Sequence, residues 1–218
     1  MLLWQNKPGN ITTANYILTL FAGLTISLLG ALPLGNLNIT ALHIASTQSV
    51  RKAIWFAAGV VVVEVAYLYI TLIAINQIII SAAIFKSLQW LSVLILLALA
   101  IGSFIAAFKK SAQTKNVLID NTLNGFILGV VMSAVNPMQF PFWIGWSVYA
   151  QTQHWLYPNN QSYLSFATGV GTGTALALLL FIAIGRQFSA LLIRKQKMVH
   201  LIMGLLFLTI ALFQAISL

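Results

Sequence analysis

Acidic residues are almost missing from this chain: two in 218 positions, Glu64 and Asp120, against eleven Lys and Arg. Cysteine is missing altogether, which excludes disulfides, thiolate metal sites and thiol redox chemistry. Charged residues of either sign make up only 6% of the chain while 60% are hydrophobic, and a soluble domain carries about 25% charged residues. A soluble enzyme and a nucleic-acid-binding domain are both excluded, and an all-α integral membrane protein is expected. The net charge of +9 does not mark a nucleic-acid surface, because the basic residues sit in short loops between apolar runs. His43, His154 and His200 are too scattered to form a metal motif. No nucleophile–base constellation is visible either, so the expectation is no metal, no cofactor and no enzymatic activity.

What the chain has in quantity is apolar runs, six of them, at about 15–45, 53–75, 88–108, 123–150, 163–185 and 198–218. About 20 apolar residues span a bilayer as a helix, so six transmembrane helices are expected in a single domain over 1–218. The polar residues before position 15, with Lys7 and Pro8, lack a small-residue cleavage motif after them and are expected to be retained. Two runs are interrupted. Pro33 and Gly35 break the first, and Pro33 withdraws the hydrogen bond from the Leu29 carbonyl. The fourth carries Asn136-Pro137 and Pro141, which should free the carbonyls of Ser133 and Pro137. Amides cluster at both places, Asn36 and Asn38 at one, Asn136 and Gln139 at the other. Within lipid, such interrupted backbone is tolerated only where protein or a water-filled cavity receives it.

Basic residues fix the expected orientation. Arg51, Lys52, Lys109, Lys110, Lys115, Arg186, Arg194, Lys195 and Lys197 fall in the first, third and fifth loops, and only Lys7 and Lys86 elsewhere. The positive-inside rule puts those loops in the cytoplasm and both termini outside. Trp146, Tyr149, Trp155 and Tyr157 cluster near the fourth loop, as an aromatic belt at the outer face would.

Glu64 lies in the middle of the second run, between Val60–Val63 and Val65-Ala66. A charge at mid-membrane costs at least ~2.5 kcal/mol, so such a carboxylate is paired, protonated or facing water, and is by default a functional group. The bland alternative is a neutral glutamic acid acting as hydrogen-bonded glue between helices. Tyr67 and Thr71 share its helix face.

The halves look related. Phe56-Ala57-Ala58-Gly59-Val60 in the second run matches Phe166-Ala167-Thr168-Gly169-Val170 in the fifth at four of five positions. Pro33 lies 23 residues before Phe56 and Pro141 lies 25 before Phe166. Three spans per half make this an inverted repeat, about 15–108 and 123–218, with helices one and four broken. Breaks at corresponding positions mark a midplane binding site in many transporters; the alternative is chance similarity between Ala/Gly/Val-rich helices. Gly169 and Gly173 form a GxxxG that should pack closely on another helix, and Thr172 and Thr174 add hydroxyls there.

Six spans, Leu32-Pro33-Leu34-Gly35 in the first, Gly59 five residues before Glu64, and Asn136-Pro137 in the fourth together resemble the LysE/RhtB-type family of amino-acid exporters. Departures are a Pro33-Leu34-Gly35 where the family often has Pro-Gly-Pro, Val63 where a second glycine is frequent, and Met138 where a Lys commonly follows Asn-Pro. The resemblance implies a secondary transporter of the inner, cytoplasmic membrane. It would export amino acids or similar small metabolites, driven by protons, with the lipid bilayer and no nucleic acid as its surroundings. Substrate binding or coupling is then expected at Glu64, Tyr67, Pro33, Asn36, Asn38, Asn136, Pro137, Gln139, Thr172 and Thr174. Half-helix N-termini at the breaks would offer N–H groups to a substrate carboxylate. An ion or metal exporter of the same architecture, or a non-transporting membrane assembly factor, is the alternative, and homo-oligomerisation is left open.

Overall fold

A helix is the one open-ended way for an apolar segment to satisfy its own backbone in lipid, and the chain uses it throughout. The computed structural model describes residues 12–31, 35–78, 82–108, 124–136 and 138–216, leaving undescribed the side chains of 78, 82, 184–194 and 196 within the helices. Pro33, Pro137, Asp120 and the lysines at 109, 110 and 115 lie outside the described residues. The elements are α1 (Thr13–Ala31), α2 (Asn36–Thr47), α3 (Val50–Ile78), α4 (Ala82–Phe108), α5 (Gly125–Ala134), α6 (Gln139–Thr152) and α7 (Asn160–Ile216). Among the described residues there is no strand.

Five segments are long and apolar enough to cross a membrane: α1, α3, α4, and the stretches Asn160–Ala183 and Lys197–Ile216 of α7. The sixth span is α5 and α6 together, bent by 71° at their junction. Helix α7 is 57 residues long, about 85 Å at 1.5 Å per residue, roughly twice a whole bilayer. It therefore holds the fifth and sixth spans that the sequence separates. The expected all-α membrane protein is the observed one, with five single-helix spans and a sixth where the bent α5–α6 pair is counted as one.

The repeated pentapeptide has a packing reason. Phe56, Gly59 and Val60 of α3 seat against Phe126, Gly129 and Val130 of α5, while Phe166, Gly169 and Val170 of α7 seat against Leu20, Gly23 and Leu24 of α1. A methyl group on Gly59 would strike the Phe126 carbonyl, and one on Gly169 the Leu20 carbonyl. Reciprocally, Gly129 receives the Phe56 carbonyl and Gly23 that of Phe166. One offset, 110 residues, relates the α3 and α7 triplets, and another, 106, relates those of α1 and α5. Each pentapeptide thus packs on a helix from the other half of the chain, α3 on α5 and α7 on α1. Gly173 continues the α7 contact onto Leu24 and Leu28, so the GxxxG is a helix–helix seam as expected.

Two buried clusters lie to either side of the breaks. One gathers Ile44 of α2, Phe56 and Val60 of α3, Leu128 of α5, and Leu178 and Ile182 of α7. The other gathers Ile26 of α1, Leu68 and Leu72 of α3, Leu96 of α4, Trp143 and Trp146 of α6, and Tyr163 and Phe166 of α7. Trp146 and Tyr149 are therefore core residues rather than members of a lipid-interface belt. The reason is the place of α6: a half-span wrapped by α3 and α4, it points its aromatics inward. Trp155 and Tyr157 are half-buried in the loop after α6, which is tied to α1 where the Thr19 hydroxyl donates to the Trp155 carbonyl (2.7 Å) and Asn15 Nδ2 to the Tyr157 hydroxyl (3.1 Å).

Candidate functional site

Two half-helices start 103 residues apart, α2 at Asn36 and α6 at Gln139, each following closely on a helix that is described to Ala31 (α1) or ends at Ala134 (α5). Side chains take up the backbone groups released there. Asn38 donates its side-chain N–H to the Ala31 carbonyl. At the other break the Ser133 carbonyl accepts the Asn136 N–H (3.1 Å), and Asn136 Oδ1 accepts the Met138 N–H (3.2 Å). The Tyr67 hydroxyl reaches from α3 to the Ala134 carbonyl at 2.7 Å. Pro141 does not break anything. It is the third residue of α6, within the first turn, where backbone N–H groups have no intrahelical partner in any case. The pairing of Pro33 with Pro141 expected from spacing is thus replaced by the 103-residue relation between the starts of α2 and α6.

A cavity of about 530 Å³ opens between the breaks. Asn36, Asn38, Asn136 and Gln139 all line it, and Val60, Met132, Leu178, Phe142 and Trp143 supply apolar wall. No Lys, Arg or His is among its described lining residues. Neither α2 nor α6 has a side-chain cap, their N-cap residues being Gly35 and Met138. The first-turn N–H groups and positive dipole ends of both half-helices therefore belong to the same space.

Glu64 is the one acidic side chain among the described lining residues. Thr174 Oγ donates to its Oε2 at 2.6 Å, and Ser27 Oγ lies 2.5 Å from Thr174 Oγ. A hydroxyl has a single hydrogen, so with Thr174 donating to Glu64, Ser27 donates to Thr174. The result is a relay from α1 through α7 to α3. Glu64 and Thr174 stand at the same 110-residue offset that relates the two pentapeptides. The carboxyl and the hydroxyl thus stand at the same distance beyond the two pentapeptides, and they bond to each other.

Two expected residues lie elsewhere. Thr172 is exposed and bonds only back to the Thr168 carbonyl of its own helix at 2.7 Å; two residues from Thr174, it points away from the cavity. Tyr67 supports the end of α5 and packs its ring on Phe140 at 4.4 Å, outside the lining. Pro33 and Pro137 fall outside the described residues. Ser27, Phe142 and Trp143 were not anticipated. A signal for the first exists: the 106-residue offset matches Ser27 to Ser133, which accepts from Gln139 Nε2 at 2.7 Å. Among the described residues no three His, Asp or Glu side chains come together.

A largely apolar cavity beside the starts of two half-helices, with Glu64 and four amides on its described wall and apolar helices around it, is the kind of site a membrane transporter of small molecules uses. The chain belongs to the LysE type translocator family, whose model matches residues 28–218. No curated protein and no solved structure matches it. The matched region holds both breaks, the cavity and Glu64, and membership makes the protein a multi-pass membrane transporter that exports small molecules.

Proposed function

We propose that the protein exports an amino acid, or a metabolite with the same ammonium and carboxylate groups, from the cytoplasm across the inner membrane in exchange for protons. The observation that carries this reading is the composition of the described cavity wall: one carboxyl, four amides, the N-terminal ends of α2 and α6, and, among the described residues, no basic side chain. A substrate carboxylate is drawn to the α2 and α6 N-termini, and a substrate ammonium to Glu64. A volume of about 530 Å³ suits a small metabolite and its water, within the ~300–1,000 Å³ typical of such sites. Glu64 either meets the ammonium directly or carries the coupled proton; the Ser27–Thr174 relay holds its carboxyl in place for both roles. On the charge pattern of the loops, the Val50 end of α3 and the Gly125 end of α5 face the cytoplasm and both termini lie outside. The repeats would then comprise about 15–108 and 123–218 of a single domain.

An ion or metal exporter is the weaker reading, because among the described residues no second carboxylate or histidine lies beside Glu64 on the wall. The test is a stabilisation screen of the detergent-solubilised protein with each of the twenty amino acids. A ligand at 100 times its Kd stabilises the folded state by about 2.7 kcal/mol. A raised melting temperature with one or a few amino acids is expected. Stabilisation by divalent cations and by none of the twenty would contradict the reading.

A further inference from the structure

Hydrogen-bond pairing along α6 is one-sided. The described buried side-chain nitrogen and oxygen atoms that lack a partner are Gln139 Oε1, Trp143 Nε1, Trp146 Nε1, Ser147 Oγ and Gln151 Nε2, all on α6, together with Tyr163 Oη on α7. Gln139, Trp143, Ser147 and Gln151 follow one another at every fourth residue, so they form a single ridge on one side of the helix. Its first two members line the cavity. Its last lies at the far end of α6, beside the loop tied to α1. The other side of α6, carrying Gly145, Val148 and Thr152 at helical spacing, faces α4, and there the polar groups are paired. Ser92 Oγ donates to the Gly145 carbonyl at 2.8 Å, and Gln89 Nε2 to Thr152 Oγ at 3.1 Å.

Buried polar atoms without partners are disfavoured, and native interiors hold few of them. At Ser147 and Gln151 an apolar side chain of similar shape would remove the desolvation cost of the unpaired group. Four such atoms in file, starting in the cavity and running the length of a half-span, suit a second arrangement in which water and substrate meet them. We propose that this ridge is the closed half of the substrate path. In the present state this side of α6 is shut in by the buried cluster that Trp143 shares with Leu68 and Leu72 of α3 and Tyr163 and Phe166 of α7, the other helices' side chains forming its lid. In the other state of the cycle they part, and Gln139, Trp143, Ser147 and Gln151 line the way from the cavity to the membrane face at the end of α6. The inference rests on the reading of the protein as a transporter that opens its cavity to each side in turn.

The chain has no cysteine of its own, so single variants report cleanly. Ser147→Cys and Gln151→Cys, reconstituted in liposomes, are treated with a membrane-impermeant maleimide, with Val148→Cys as the buried control on the α4 side. An alternative state populated at the usual minor level makes the two ridge thiols react at least about tenfold faster than the control. Equal or absent labelling of all three overturns the proposal. Ser147→Ala and Gln151→Leu keep it testable should a cysteine variant fail to fold. Both should raise the melting temperature of the closed protein, and a lowered one overturns the proposal by showing a paired group. Neither measurement needs a substrate. A failed amino-acid screen therefore removes the substrate assignment and leaves the ridge, whereas an unlabelled ridge removes this inference and leaves the cavity.

Discussion

Gly169→Ala strikes the interlock between the halves at one atom. The added methyl would lie well inside contact distance of the Leu20 carbonyl oxygen and 2.9 Å from the Leu24 nitrogen. Both are backbone atoms of α1, so no side chain can turn aside and the helices must separate. Overpacking of this kind costs ~1–3 kcal/mol. Gly102 is the control: it sits inside α4, and a methyl there would meet nothing within 4 Å, so alanine should gain up to ~1 kcal/mol of helix propensity. Gly169 is helical too, so the propensity gain is common to both, and Gly169→Ala and Gly102→Ala should differ by the overpacking cost, roughly 1–3 kcal/mol. At the few degrees per kcal/mol usual for chains of this size, that is on the order of 5 °C in melting temperature. Gly59→Ala, where the Phe126 carbonyl and the Val130 nitrogen replace those of Leu20 and Leu24, should behave like Gly169→Ala, because it holds the same place in the repeated pentapeptide. Transport should fall in both, since Thr174 and Glu64 lie five residues beyond the two glycines and their hydrogen bond depends on the same seams. Thermal melts of purified variants decide the matter. Gly169→Ala as stable as Gly102→Ala would refute the tight seam, and a large effect at Gly169 with none at Gly59 would refute the equivalence of the two seams.

Tyr67→Phe should lower stability by about 0.5–1.5 kcal/mol, the net worth of the exposed hydrogen bond to the Ala134 carbonyl, read as a drop in melting temperature with transport per folded molecule retained. Pro141→Ala should leave transport and stability near wild type, because Pro141 occupies the first turn of α6; a loss of transport would restore it as part of a break. Single cysteines near Gln113 should label only from the cytoplasm and those near Asn160 only from outside, as the nine basic residues on alternate loops require.

The features legible in the sequence were those with a local energetic signature. Glu64 stands out because a lone carboxylate among valines is costly wherever it points, and the pentapeptides stand out because only glycine admits a carbonyl from a neighbouring helix. Features that depend on neighbours were misread. Pro141 looks like Pro137 in sequence, and only the start of α6 at Gln139 makes it harmless. Thr172 and Thr174 differ by 200° of helical rotation, and nothing in the sequence says which faces the break. Trp146 and Tyr149 near a loop look like interfacial residues until α6 proves to be a half-span enclosed by other helices. Trp143 gave no signal at all, since a buried tryptophan and a lipid-facing one read alike.

Glu64→Gln, assayed in parallel for net export under a proton gradient and for substrate exchange without one, bears most directly on the carboxyl at the cavity wall. Glutamine keeps the size and can still accept from Thr174, but it cannot titrate. If Glu64 carries the proton, net export collapses while exchange survives; if it meets the substrate ammonium, both fall together. Either outcome places Glu64 at the centre of transport. Wild-type net export and exchange by Glu64→Gln would contradict that, and would make the Ser27–Thr174–Glu64 relay a neutral link between helices.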